Sequence, residues 1–310
     1  MRAPPDAPAA PDEDAVVAAA LRYAGKAPAR DAQPTKRERQ VAGEARALLR
    51  AFRANNFAVQ DDLLGQVASG VFPAGAILNH ACLPNAVVTY RVARQDGGRA
   101  PGAAARVVQE FRAVRRIAPG EEICHSYVDL AGFATAGERR DVLRERYGFA
   151  CDCAACESGF PAREGHLEAG DARKVGIADQ LMARAAAEEG LEAEVRLTEA
   201  ALRAYRAALG PRHAKTVTAL DARLSLALIA GDFGGAAALS RELAGVRQEL
   251  YGGQPHPRAA LDLLTLGEIL RHVGERDEAR EVLARAADML AVTNGAEHHL
   301  TAGARAMLAS

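Results

Sequence analysis

Asn79-His80-Ala81-Cys82-Leu83-Pro84-Asn85 is the stretch around which this chain is organised. Alone it has the composition of an ordinary polar turn, because Asn tolerates left-handed backbone and Pro interrupts regular structure. It gains meaning from Tyr127 and from three cysteines packed into six positions, Cys151, Cys153 and Cys156. Thiolates spaced Cys-x-Cys-x-x-Cys can fill three corners of a tetrahedral zinc site, and a closed structural site needs a fourth. Cys82 is the leading candidate, since the alternative, Cys124, lies in an alternating run of strand type. A zinc ion tying Cys82 to the three later thiols would draw the 79–85 turn to the segment after Tyr147. Asn79, His80, Tyr127, Tyr147 and Phe149 would then gather around it.

Composition narrows the classes. The chain has 310 residues, enough for about two domains and a proper core. A formal net charge of -1 gives no field for steering nucleic acid, so no direct nucleic-acid partner is expected. Hydrophobic residues make up 49%, much of it alanine, and no run approaches the ~20 apolar residues of a membrane span. The first residues are rich in Ala, Pro and Asp and do not resemble an export signal. The expectation is a soluble intracellular monomer, cytoplasmic or nuclear, with no membrane partner. An odd count of five cysteines in such a chain favours a metal site over disulfides.

Outward from the turn, Ala86–Arg94 and Ala105–Val114 read as a β-hairpin closed by the loop Gly97–Gly102. A turn at Ile117–Glu122 leads to a third short run ending at Tyr127, and Glu121 and Glu122 read as solvated turn residues. On the N-terminal side, Met1–Asp14 is expected to be disordered, Ala15–Tyr23 a short helix and Gly25–Pro34 a linker. Thr35–Ala54 is a stronger helix, with Thr35 and Glu38 at capping-box spacing and Val41, Ala45, Leu48, Leu49 and Phe52 on one face; Asn55, Asn56 and Phe57 end it. Thr135–Tyr147 is helical, with Glu138, Arg139, Arg140 and Arg144 outward and Val142 and Leu143 inward. Glu157–Gly170 is a loop, and from Asp171 the chain is helical.

That last part repeats. His213, His256 and His298 each follow a Gly-containing turn, at intervals of 43 and 42 residues, and Gly231-Asp232 recurs as Gly274-Glu275 43 residues on. Such a period marks a stacked helical array related to tetratricopeptide repeats. The repeat histidines read as capping or packing residues. The segmentation is therefore 1–34 disordered or a short helix and linker, 35–150 a helix and a small-strand β domain with its core at 70–130, 151–170 a zinc segment and loop, and 171–310 the array. The fold class is α+β followed by an all-α array.

Asn-His-x-Cys-x-Pro-Asn, then Gly-Glu-Glu with a Tyr shortly after, then Glu-Arg-Arg and Tyr-x-Phe-x-Cys-x-Cys-x-x-Cys, resembles the SET domain and, more closely, the SET-and-MYND family of protein lysine methyltransferases. The likeness runs from about Ala54 to the C-terminus. It implies S-adenosylmethionine as cofactor, held by Asn79 and His80, with Asn55 a further contact and Phe149 over the adenine side. It implies Tyr127 as the catalytic tyrosine, Tyr147 and Phe57 lining the lysine channel, and Cys82, Cys151, Cys153 and Cys156 as the post-SET ligands of one structural zinc. Methyl transfer from a sulfonium is an in-line displacement by a neutral amine, so it needs alignment and an apolar, aromatic channel, not a carboxylate pair. The implied partner is a histone or non-histone protein lysine, with a peptide partner for the array.

Two family parts have no counterpart in the sequence. After the zinc cysteines are assigned only Cys124 remains, too few for a MYND module, and Gly25 is the only glycine before Gly43, so the Gly-x-Gly loop and its strand are missing. Position 81 is Ala where the family usually has Ser. Two expectations follow: a lysine methyltransferase with one pocket wall absent, met here as a fragment, or a degenerate SET scaffold that binds partners through its helices.

Overall fold

The structure, a computed structural model, describes residues 13–26, 33–94, 105–133, 135–160 and 169–309. The expected disorder before Glu13, most of the linker, the hairpin tip and most of the 157–170 loop lie outside these residues. The described chain divides into two units, Met1–Asn79 with Arg140–Cys151, and His80–Arg139 with Asp152–Ser310.

In the first unit, α1 (Glu13–Tyr23) and α2 (Lys36–Asn55) pack together. The α1 helix starts inside the stretch expected to be disordered. Its first turn explains why: Glu13 is buried against the Arg50 guanidinium at 2.9 Å, and Asp14 pairs with Arg46 at 2.8 Å. The capping box of α2 is present, Thr35 accepting from the Glu38 N–H and the Glu38 carboxylate accepting from the Thr35 N–H. Its apolar face is not a core face, however. No residue of α2 is buried, and Leu48 is 71% exposed. Arg46 and Arg50 make its ion pairs with α1, which turns the Leu48–Phe52 edge away.

A hairpin that the sequence reading passed over follows, β1 (Asn56–Gln60) antiparallel to β2 (Gln66–Val71). Asn56 does end α2, its N–H donating to the Phe52 carbonyl, but the next residues extend as a strand rather than a loop. The Asp61 carboxylate closes the connection by accepting from the N–H groups of Leu63 and Gly65. Only Val59 of this pair is buried, so little period-two patterning marked it.

In the second unit, β4 (Ala86–Arg94) and β5 (Ala105–Ala113) form the expected hairpin, paired without a register break from Ala86↔Ala113 to Arg94↔Ala105. Two-residue strands β3 (Asn79–His80) and β6 (Cys124–His125) pair with each other. The α3 helix (Ala136–Tyr147), of which only the part up to Arg139 belongs to this unit, is as expected in extent, but one of its charges is not outward: Arg139 is fully buried. Its Nη2 donates to the Phe160 carbonyl at 2.5 Å and lies 3.9 Å from Cys156 Sγ, so the cysteine segment draws it in.

A short α4 (Ala154–Glu157) leads to the helical array: α5 (Ala169–Ala186), α6 (Leu191–Leu209), α7 (Ala214–Ile229), α8 (Phe233–Leu250), α9 (Pro257–Val273), α10 (Arg276–Thr293) and α11 (His299–Ala309). Its core is Leu and Ala, with Leu202, Leu220, Leu250, Leu270, Leu283 and Leu290 fully buried. Small residues let the helices approach closely. At Gly267 in α9 an added Cβ would sit 2.5 Å from Leu283 Cγ of α10. The three repeat histidines are caps, as read: His213, His256 and His298 accept from the N–H groups of Lys215, Arg258 and Leu300. Gly231 and Gly274 take the left-handed conformation their turns require.

Candidate active site and thiolate centre

The Asn79–Asn85 turn is anchored at both ends. Asn85 is buried, and its side chain is fully engaged by the 121–124 segment. Its Nδ2 donates to Glu121 Oε1 at 3.0 Å and to the Glu122 carbonyl at 2.8 Å, while its Oδ1 accepts from the Cys124 N–H at 2.9 Å. Glu122 is exposed, as expected for a solvated turn. Glu121 has a structural role that the sequence reading missed: the Arg115 guanidinium at 2.6 Å, then the N–H of Ala118 and the Asn85 amide, hold its carboxyl down at about 2.

At the other end stands His80. Its Nδ1 accepts from the Tyr127 backbone N–H at 2.9 Å, and its Nε2 lies 3.3 Å from Cys82 Sγ. Burial holds the imidazole neutral, at about 4. Because Nδ1 accepts, the neutral ring carries its proton on Nε2, aimed at sulfur. The Ala81 N–H donates to the His125 carbonyl at 3.1 Å, extending the same join. The Tyr127 ring then packs between two imidazoles, with centroids 5.2 Å from His80 and 4.9 Å from His125, and Phe111 backs His125 at 5.3 Å. Nothing in the sequence reading singled out His125.

Cys82, Cys153 and Cys156 come together in the second unit, and Cys151, two positions before Cys153, completes the group. Their sulfurs all lie within 4.8 Å of one another, and Cys124 is not among them. Zinc at ~2.3 Å from four thiolates needs sulfurs about 3.8 Å apart. Cys82 and Cys156 are 3.5 Å apart. The hydrogen bond with the Cys153 sulfur, then burial, pushes the Cys82 thiol far above its ordinary range, so gathered thiolates call for a cation. Donors are also aimed at the sulfurs: Cys82 N–H at Cys153 Sγ (3.4 Å), His80 at Cys82, and Arg139 at Cys156. The group can hold zinc.

The remaining residues assigned from sequence belong to the first unit. Asn55 closes α2, its Nδ2 donating to the Ala51 carbonyl at 2.7 Å. Phe57, on β1, is half-buried edge-on to Phe72, with centroids 6.0 Å apart. Asn79 is exposed, while Tyr147 and Phe149 are half-buried at the end of α3. Burial raises the Tyr147 hydroxyl above its ordinary value.

The sequence is similar to known proteins over part of its length. The SET domain family matches residues 16–128, a span that starts within α1, includes all of α2 and so begins well before Ala54. N-lysine methyltransferase SMYD2 of Gallus gallus is 38% identical over 102 residues, 33% of this chain and 20% of that protein. The Homo sapiens protein of the same name matches at the same identity and coverage. N-lysine methyltransferase SMYD2-B of Danio rerio is 41% identical over 113 residues, 36% of this chain and 22% of that protein. The matched part thus spans about a fifth of the length of these relatives. A SET domain of small strands, followed by a helical array and carrying a cysteine group fit for zinc, makes this chain one that resembles the SET-and-MYND family.

Proposed function

We propose that the chain is a SET-type protein-lysine methyltransferase, moving a methyl group from S-adenosylmethionine to the amine of a lysine in a histone or other protein. The observation that supports this reading is the hydrogen bond joining His80 to the Tyr127 backbone, which ties the Asn79–Asn85 turn to the Tyr127 segment within a region matched by the SET domain family. S-adenosylmethionine supplies an electrophilic sulfonium methyl when bound. Asn79 and His80, with Asn55 and Phe149, are the residues assigned to hold it. An exposed amide at Asn79 suits the charged amino-acid end of such a molecule.

Tyr127 is the proposed catalytic residue, its hydroxyl orienting the substrate amine. Tyr147 and Phe57 would line the lysine channel, where half-buried aromatic walls disfavour the ammonium and favour the neutral amine. One zinc ion on Cys82, Cys151, Cys153 and Cys156 is structural in this reading. Five cysteines, none of them in a disulfide, suit a reducing, intracellular compartment, cytoplasmic or nuclear. Among the described residues no helix is long and apolar enough to cross a membrane.

A second reading, a SET scaffold that binds partners through a tetratricopeptide-type array, draws on one observation. The described residues from Glu13 to Asn55 are mainly two helices, with no strand among them. Labelled methyl transfer into bulk histone and cellular protein separates the two. The first reading expects transfer that falls about 10²-fold or more in Tyr127→Phe, together with calorimetric binding of S-adenosylmethionine that is lost in Asn79→Ala. No transfer and no heat at millimolar cofactor would leave the scaffold.

A further inference from the structure

We infer that the helical array positions the Tyr127 segment through the turn Tyr251-Gly252-Gly253, with Tyr251 and Gly252 as positioning residues. Two contacts, both inside the second unit, carry this. The Tyr251 hydroxyl donates to Asp129 Oδ1 at 3.0 Å, two residues beyond Tyr127. Gly252, at φ +65°, lies so close to Leu83 that an added Cβ would meet its Cδ1 at 3.2 Å. Leu83 belongs to the Asn79–Asn85 turn. One turn of the array therefore touches both segments that His80 joins.

The grip is built rather than incidental. Tyr251 is 4% exposed, and its ring stacks on His256, the α9 cap, at 3.6 Å and 12°. The same Asp129 oxygen accepts from the Ala131 N–H at 3.0 Å, so it caps the 3-10 turn Leu130–Gly132 that rests on α7 and α8. Leu130 and Ala131 are buried there. A phenol so deeply buried needs its acceptor, and the structure supplies that acceptor from the chain that carries Tyr127 rather than from the array.

The activity arm of the test rests on the methyltransferase reading, and the exchange arm does not. Amide hydrogen exchange over 125–133 is compared in wild type, Tyr251→Phe, Asp129→Ala, Asp129→Asn and the Tyr251→Phe/Asp129→Ala pair. Tyr251→Phe and Asp129→Ala are each expected to speed exchange over 127–133 by about tenfold. The double variant should go no further than Asp129→Ala, which also gives up the bond from the Ala131 N–H. Asp129→Asn, whose amide oxygen still accepts, should match wild type. kcat should fall about tenfold in Tyr251→Phe with the KM for S-adenosylmethionine unchanged, a split that general loosening of the array does not produce. Wild-type exchange over 127–133 in Tyr251→Phe, additive effects in the double variant, or faster exchange with unchanged kcat overturns the inference. A wild type that transfers no methyl overturns the methyltransferase reading, and the exchange arm still decides the grip.

Discussion

His80 and Tyr127 are joined by a hydrogen bond from the Tyr127 backbone N–H to the imidazole Nδ1, 2.9 Å long, while the other ring nitrogen faces Cys82 Sγ. One side chain thus links the tyrosine segment to the thiolate group. His80→Ala leaves the Tyr127 N–H without that acceptor, at a cost of about 1–3 kcal/mol. His80→Asn can restore the acceptor but not the N–H toward sulfur. Urea unfolding should show Ala well below wild type and Asn close to it. If zinc occupies the thiols, both variants should hold it 10- to 100-fold less tightly in chelator competition. Equal unfolding curves for Ala and wild type would remove His80 from this role.

The thiolate group predicts its metal. Purified protein is expected to carry about one equivalent of zinc, because four sulfurs within 4.8 Å leave no position for another ligand. Cys151→Ser/Cys153→Ser should carry none, whereas Cys124→Ser should keep it. Elemental analysis decides. Undiminished zinc in the double variant places the ion elsewhere.

What could be read from the sequence follows from how local each signal was. The Thr35–Glu38 capping box, the β4–β5 hairpin and the histidine caps are set by residues within a few positions of one another, and they appeared where expected. Cys82 could be matched to its distant partners because three thiols at close spacing call for a fourth and Cys124, the alternative, lay in a run of strand type. Signals that depend on distant neighbours were missed. Arg139 looked like any helix-surface arginine until the Cys156–Phe160 segment folded over it. His125 and Asp129 had no pattern of their own; their positions derive from Tyr127 on one side and Tyr251 on the other. The β1–β2 hairpin escaped because its outward-facing strands lack an apolar alternation.

Close helix packing in the array gives a contrast of sign. Gly267→Ala forces a methyl against Leu283 at a point where the two helices meet, and should destabilise by about 1–3 kcal/mol. Gly245→Ala, on the exposed side of α8 with nothing within 4 Å of the added carbon, should stabilise by about 0.5–1 kcal/mol. Opposite shifts of the thermal midpoint in the two variants check this. A Gly267→Ala midpoint at or above wild type would mean that α9 and α10 are farther apart than described.

Glu121 supplies the pH dependence. Its carboxyl, near 4.5 when unperturbed, is held at about 2 in the folded chain, first by Arg115, then by the Ala118 N–H and the Asn85 amide. The folded state therefore binds this proton more weakly than the unfolded state. Its stabilising contribution is present in full above about 4.5 and is lost as pH falls through about 2. Glu121→Gln removes that dependence while keeping an oxygen for Asn85. Its thermal midpoint should fall less steeply than wild type between those two pH values. The site is also where the Asn79–Asn85 turn is pinned, so acid should loosen the Cys124 amide, which depends on Asn85 Oδ1, before the array unfolds. Parallel midpoint curves for wild type and Glu121→Gln would show that Arg115 and Glu121 do not hold together in solution.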